Sequence, residues 1–334
     1  MNKKLTIFSI ILIIVGIIGA ICSGIASLPY IVDNVNKIRE EVNKEHIIYN
    51  KNIDLNKIDI STINDRVTIK KHTGNDVKVS VKGVYEEGKY EVNEDIKTLK
   101  INEKETKENY DKFGNLNELM SKFIENSLKE YYEVIVYVPN NIDISAYTKY
   151  GLLRIEDNIF LNEVKFKTVG GSISLPQKIK SLNKLDIISN GHIELSMGEI
   201  IGIKDINIVS NSTTIYSKSN DKFIDNIESY IPNNLNITSD YCIDVTTGIP
   251  VANNLNITSY DLVDNLDIPI NKYKFNFNVK ANSIDLYNLR ERYNLDNDIY
   301  NNKNINEIND LLNKDLESLE REYNINIKAN NVNF

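Results

Sequence analysis

The chain has 334 residues, 41% of them hydrophobic, which is enough apolar material for a sizeable core and excludes a disordered protein. A formal net charge of -8 and a pI near 5.2 exclude phosphate neutralisation by a clustered Lys/Arg excess, so no nucleic acid is expected as a partner and no attraction to anionic lipid. The two cysteines, Cys22 in a hydrophobic run and Cys242 in a predicted strand, imply no disulfide framework.

The first element is apolar. Between Lys4 and Asp33 no residue is charged, and the 24 apolar or small residues from Leu5 to Leu28 make a helix of roughly 36 Å at about 1.5 Å per residue, against a hydrocarbon core of about 30 Å. Leu5, Ile7, Phe8, Ile11, Leu12, Val15, Ile18, Ile21 and Leu28 are the lipid-facing candidates of a membrane anchor over 5–32. A cleaved signal peptide, with Gly24-Ile25-Ala26 as its cleavage site, is the alternative, but its apolar region is usually only about 7 to 15 residues. A lipoprotein fits less well, because Ile21 stands before Cys22 where a small residue is needed. Lys3 and Lys4 keep residues 1–4 in the cytoplasm, so the chain is expected to be single-pass in the plasma membrane with its bulk extracytoplasmic. Residues 33–49, charged with Val35, Ile38 and Val42 interspersed, are expected to be a helical stalk.

From about residue 50 to 284 the text becomes strand-like. Apolar alternation of period two, from Ile58, Val67, Val77, Tyr90, Thr98 and Glu133, is broken by turn residues. A helical insertion over 109–131 places Leu116, Leu119, Met120, Phe123, Ile124 and Leu128 on one face. Then a unit of about 20 residues recurs from Ser145, Val164, Leu185, Ile206, Leu235 and Leu255, with turns at Gly151, Gly171, Gly191 and Asn211 and a surface excursion before Leu235. One such unit is too small to bury its own apolar side, so neighbours must cover one another. Leu185, Ile187, Ile193 and Leu195 share one face; Asp186, His192 and Glu194 take the other. Val164, Phe166, Ile173 and Leu175, and Leu235, Ile237, Ile243 and Val245, would stack in the same layers on other rungs. The expected fold is mainly β: a single-layer-wound β-solenoid, parallel β-helix-like, with two helical insertions and the N-terminal transmembrane helix. Asn190-Gly191 is also a hairpin signal, and an antiparallel sandwich is the competing fold; a constant period favours the coil. Residues 285–334 are expected to form a C-terminal helical segment, with Ile305 to Tyr323 helical through Ile308, Leu311, Leu312, Leu316 and Leu319, and then a closing strand from Ile325.

The single N-terminal span, the opening strands at Ile58–Lys71, the Glu133–Pro139 strand and the serial Ser-x-Gly-x-Ile-x-Leu rungs resemble the bacterial family DUF4097, over roughly residues 50 to 285. That resemblance implies an adhesin-like β-strand-repeat surface protein and carries over no catalytic residue.

Chemistry is sparse. His46, His72 and His192 lie far apart with no zinc spacing, Gly170-Gly171 is read as a turn using positive φ, and no phosphate loop or nucleophile elbow occurs. Glu156, Asp157, Asp186, Glu194 and Arg154 are the candidates for a solenoid lyase, but they are dispersed and read as a solvated face. Asp296-Asn297-Asp298 lacks the rest of a calcium loop, and the triplets at Asn236 and Asn256 follow from the repeat. The abundance of Asn, Ile and Lys is taken as genomic bias without mechanistic weight. No catalytic, cofactor or metal residue is therefore expected. The expected role is a non-enzymatic binding, adhesin-like or envelope-signalling accessory module whose partners are the bilayer and an envelope protein or glycan. A solenoid carbohydrate-active enzyme and a self-associating structural protein are the alternatives.

Overall fold

The computed structural model describes residues 36, 40, 42–52, 54–74, 76–83, 87–104, 132–156, 159–176, 182–217, 229–270, 272–285 and 321–334. The anchor over 5–32 and the helical faces over 109–131 and 305–320 lie outside these residues. No helix among the described residues is long and apolar enough to cross a membrane.

The N-terminal part contains β1 (His46–Lys51), β2 (Lys57–Thr62), β3 (Arg66–Lys71), β4 (Val77–Lys82), β5 (Tyr90–Asp95), β6 (Thr98–Glu103) and β7 (Glu133–Val138). The rungs follow as β8 (Ile142–Thr148) with β9 (Leu152–Ile155), β10 (Leu161–Thr168) with β11 (Ser172–Ser174), and β12 (Leu182–Ser189) with β13 (His192–Ser196). After the short helical turn α1 (Met197–Ile200), β14 (Ile203–Tyr216) and β15 (Asn234–Thr246) each run through a corner as one long strand. The rest comprises β16 (Asn254–Ser259), β17 (Leu262–Asp267), β18 (Lys274–Asp285) and β19 (Glu322–Asn333).

Parallel pairing joins one rung to the next, as a coil requires and a set of hairpins does not. Val164 lies beside Ile144 and Leu185, Leu185 beside Ile206, Ile206 beside Leu235, and Leu235 beside Leu255. The column continues to Ile58 and Leu99 at one end and to Ile325 and Phe277 at the other. A second column, two residues along each strand, passes through Ile60, Ala146, Phe166, Ile187, Ile208, Ile237, Ile257 and Ile327. All of these side chains are buried. At about 1.5–3 kcal/mol for each large apolar side chain removed from water, the columns are what drives the winding. The second half of each rung builds the opposite wall, where Leu195, Ile215, Val245 and Leu266 form an equivalent buried column.

The ends depart from simple winding. At the N-terminal end β4 runs antiparallel between β1 and β7, and β5 and β6 form an antiparallel hairpin. At the C-terminal end β19 lies between β16 and β18, although it follows both in sequence. Tyr323, Phe275, Phe277 and Phe334 pack with ring centroids 5.6 to 5.9 Å apart and fill the core there.

Four expectations are corrected. The stalk assigned to 33–49 includes the start of β1 at His46, because Tyr49 and Val42 enter the core. The helix drawn to Tyr323 cannot extend so far: Glu322 and Tyr323 already belong to β19, with Tyr323 beside Phe275. The closing strand is an inner rung and not part of a separate segment 285–334, because its alternate Ile325 and Ile327 extend the two apolar columns. The stretch before Leu235 is not wholly a surface excursion either, since Ile231 is buried and Gly202 N–H donates to the Tyr230 carbonyl at 2.6 Å.

Candidate functional site

The corners between the two halves of each rung are built on a buried hydroxyl column. Thr62, Thr148, Thr168, Ser189, Ser210, Ser239 and Ser259 are each at most 4% exposed, in a layer where apolar side chains would leave the corner backbone without partners. Gly151 N–H donates to Thr148 Oγ1 at 2.8 Å, Gly171 N–H to Thr168 Oγ1 at 2.6 Å and Gly191 N–H to Ser189 Oγ at 3.0 Å. Beyond them Ser239 Oγ donates to the Asn211 carbonyl at 2.6 Å and Ser259 Oγ to the Tyr241 carbonyl at 3.0 Å. Buried backbone donors and acceptors demand such partners, so the Ser/Thr of each unit is as much a part of the turn as its glycine.

The reason for glycine differs from the expected one. The positive-φ glycines of the described chain are Gly83, Gly88 and Gly202, so Gly151, Gly170 and Gly171 need no left-handed conformation. Crowding is the cause at two positions. A Cβ on Gly151 would stand 2.3 Å from the Asp65 carbonyl oxygen, and one on Gly171 2.2 Å from that of Gly151. At Gly191 the nearest atom would be 3.5 Å away. Asn211 lies inside β14 at a register shift, its N–H donating to the Gly191 carbonyl at 3.1 Å.

The outer face of the first wall carries two asparagine columns, so the abundance of Asn is more than genomic bias. In one, Asn207 donates to Asp186 Oδ1 at 2.7 Å, Asn236 to Asn207 at 2.7 Å, Asn256 to Asn236 at 2.8 Å, Asn326 to Asn256 at 2.9 Å and Asn278 to Asn326 at 3.3 Å. In the other, Asn234 donates to Asp205 Oδ1 at 2.6 Å, followed by Asn254, Asn324 and Asn276 at 3.1, 3.0 and 3.3 Å. Each ladder points its N–H groups the same way and ends on a carboxylate. Burial raises the Asp186 pKa, but the Asn207 amide and the Lys184 ammonium, 2.6 Å away, outweigh it and hold the carboxyl below its usual range. The signal was present in the sequence as Asn at alternate strand positions in unit after unit.

A charged cluster closes the N-terminal end. Lys89 Nζ lies 2.8 Å from Asp65 Oδ2 and 3.6 Å from Glu103 Oε1, and 4.4 Å from the Tyr132 ring centroid. Tyr90 donates to the same Asp65 oxygen, and Ile63 N–H donates to Glu103 at 2.6 Å. Asp65, Glu103 and Lys89 side chains are only 5, 9 and 13% exposed, so the cluster ties the β2–β3 corner to the β5–β6 hairpin from inside. Burial, and after it Asp65, pushes the Glu103 carboxyl up, against the opposing pull of the Ile63 N–H and Lys89. A carboxyl raised on folding adds stability below its unfolded pKa, and that contribution is lost as the pH climbs through the folded value. Glu103→Gln keeps an oxygen for Ile63 N–H without the charge, so its stability relative to wild type should rise from pH 4 to pH 7 in urea titrations. Parallel pH profiles for the two proteins would refute this assignment.

The other candidates stay apart. His46 is in β1, His72 accepts from Gly74 N–H at 2.9 Å in the β3–β4 turn, and His192 in β13 meets Ser212 Oγ at 2.8 Å. Arg154 and Glu194 sit on the second wall and Asp186 on the first, while Glu156 pairs with Lys70 at 3.1 Å; Asp157 and Asp296–Asp298 lie outside the described residues. Among the described residues no group of three His, Cys, Asp or Glu side chains is arranged to hold a metal ion. Burial, then Asp264, pushes the Cys242 thiol up, away from a reactive thiolate.

Parallel rungs, stacked apolar columns and hydroxyl-capped corners define a β-solenoid. The family model for Toastrack DUF4097 matches residues 55–286, and the chain belongs to that family. No curated protein matches the chain. Among solved structures, it is similar to a "putative cell adhesion protein" from Clostridium sporogenes, at 10% identity and a TM-score of 0.30, over 87% of this chain and 96% of that one. It is also similar to "putative adhesins" from Bacteroides fragilis (12% identity, TM-score 0.28, 68% and 94% coverage) and Parabacteroides distasonis (11%, 0.28, 68% and 95%).

Proposed function

We propose that this protein is a membrane-anchored, extracytoplasmic binding module without enzymatic activity, adhesin-like or accessory to envelope signalling, whose partners are the bilayer and an envelope component. The observation that supports this most is the outer wall itself: a regular parallel sheet whose side chains are held in register by one another. Such a wall offers many shallow, fixed contact positions, the arrangement suited to an extended partner rather than a small substrate. The N-terminal run from Leu5 to Leu28, preceded by Lys3 and Lys4, supports the anchor and its orientation.

The enzymatic alternative would need carboxylates and a base exposed together. Asp65, Glu103 and Lys89 do gather two carboxylates and an amine, but each is engaged by the others and almost wholly enclosed, which gives a polymer no approach. Self-association through an end rung is the second reading, favoured by the length and regularity of the end strand β18. Light scattering of the full chain in detergent should give a monomer under the first reading and a concentration-dependent oligomer under the second.

Topology has its own test. Protease added to intact cells should cut the chain beyond residue 42, and the fragments should be the same after lysis. Protection of the solenoid until lysis would reverse the orientation.

A further inference from the structure

The asparagine wall has a chemistry more specific than that of a solvated face. A carboxamide carries two donor hydrogens and two acceptor lone pairs. Along a column such as Asn207–Asn236–Asn256, each inner amide spends one hydrogen on the preceding rung and accepts one from the next. On Asn236 and Asn256 one N–H and one lone pair remain on the outward face, whereas Asn254 of the other column also donates to the Asn233 carbonyl at 3.2 Å. Rungs about 4.8 Å apart, and columns two residues apart along each strand, repeat this donor–acceptor pair as a grid. The amides are locked by their column neighbours, so a ligand would not have to immobilise them.

Over the two columns, the middle rungs β15 and β16 of the same wall carry no charge. The two columns hold only amides from Asn234 and Asn207 onward, and the adjoining outward positions of β15 and β16 are Thr238 and Thr258. Charged residues appear at the margins: Asp186 and Asp205 at one end, and on the last rungs Lys328, Lys280 and the Lys274–Glu322 pair at 3.5 Å. A polyanion or polycation finds no complement on such a surface. A neutral chain whose groups both donate and accept hydrogen bonds, at a spacing that repeats, finds one along the Asn236–Asn256 column.

We propose that the asparagine wall binds a neutral linear polysaccharide, hydroxylated or N-acetylated, laid along the solenoid axis. This rests on the reading of the protein as a surface binding module and gives that module a ligand class. Affinity would come from many weak contacts summed along the chain, so it should grow with polymer length and depend little on salt.

The test is co-sedimentation of the full chain, in detergent, with chitin and cellulose as neutral polymers and with polygalacturonate and chitosan as charged ones. The expected result is retention on chitin or cellulose, unchanged between low and high salt. Asn236→Val/Asn256→Val, which puts strand-favouring β-branched residues in their place, should lower retention at least tenfold, while Ser174→Val/Thr214→Val on the other wall should not. Where the first pair unfolds, Asn276→Ala/Asn278→Ala replaces it, since these end amides each make a single column hydrogen bond. Retention only on the charged polymers, equal retention by the asparagine variants, or no retention on either neutral polymer overturns the proposal. None of these outcomes alters the protease result on intact cells, so the topology and the ligand class stand or fall separately.

Discussion

Ile187→Asp should abolish folding of the solenoid, while Ile188→Asp, the next residue along, should shift its melting temperature by only a few degrees. Ile187 is 1% exposed and stacked between Phe166 and Ile208; Ile188 is 37% exposed and lies between Lys167 and Val209 on the outer face. At position 187 a carboxylate forfeits about 2–3 kcal/mol of apolar burial and adds several more for an unpaired charge or an unsatisfied acid, a total of roughly 5 kcal/mol or more. That approaches the whole stability of an ordinary domain, about 5–15 kcal/mol. At position 188 the new carboxylate stays in water, with Lys167 beside it on the neighbouring rung. Circular dichroism melts of the two variants decide the matter: equal melting temperatures would remove the assignment of inner and outer faces on which the columns depend.

The second large effect concerns the corners. Gly171→Ala places a methyl group 2.2 Å from the Gly151 carbonyl oxygen, a backbone atom that is itself accepting from Ser172 N–H at 3.1 Å. Two rungs must move apart or the corner must open, at a cost of about 2–3 kcal/mol. In a domain of this size that corresponds to a fall in Tm of roughly 5–10 °C. Gly191→Ala, in the same turn position one rung on, meets nothing nearer than 3.5 Å and should be close to neutral. A Gly191→Ala variant as unstable as Gly171→Ala would show that conformational freedom, not the approach of neighbouring rungs, is what keeps glycine in these turns.

The contrast between those glycines shows where reading the chain succeeded and where it stopped. A period of about 20 residues and alternation of Ile and Leu identified the rungs, the buried face and the parallel stacking, because both are properties of one strand repeated. The Ser/Thr before each turn was visible as a motif, but its burial was not, because what it satisfies is backbone at the corner of its own and the preceding rung. The asparagine columns were likewise in the text and were attributed to composition. A single Asn at an outward position is unremarkable, and only stacking turns a series of them into a hydrogen-bonded ladder.

Local sequence therefore determined the parts that depend on side-chain alternation: which residues face inward, how long a rung is, and that rungs must cover one another. Tertiary structure alone decided the rest. The placement of β19 inside β18, the antiparallel cap of β4, β5 and β6, and the meeting of Asp65, Lys89 and Glu103 join residues far apart in the chain. Pairing of that kind is chosen by the match of whole surfaces, such as Ile325 and Ile327 against the columns on both sides, and no period along the chain encodes it.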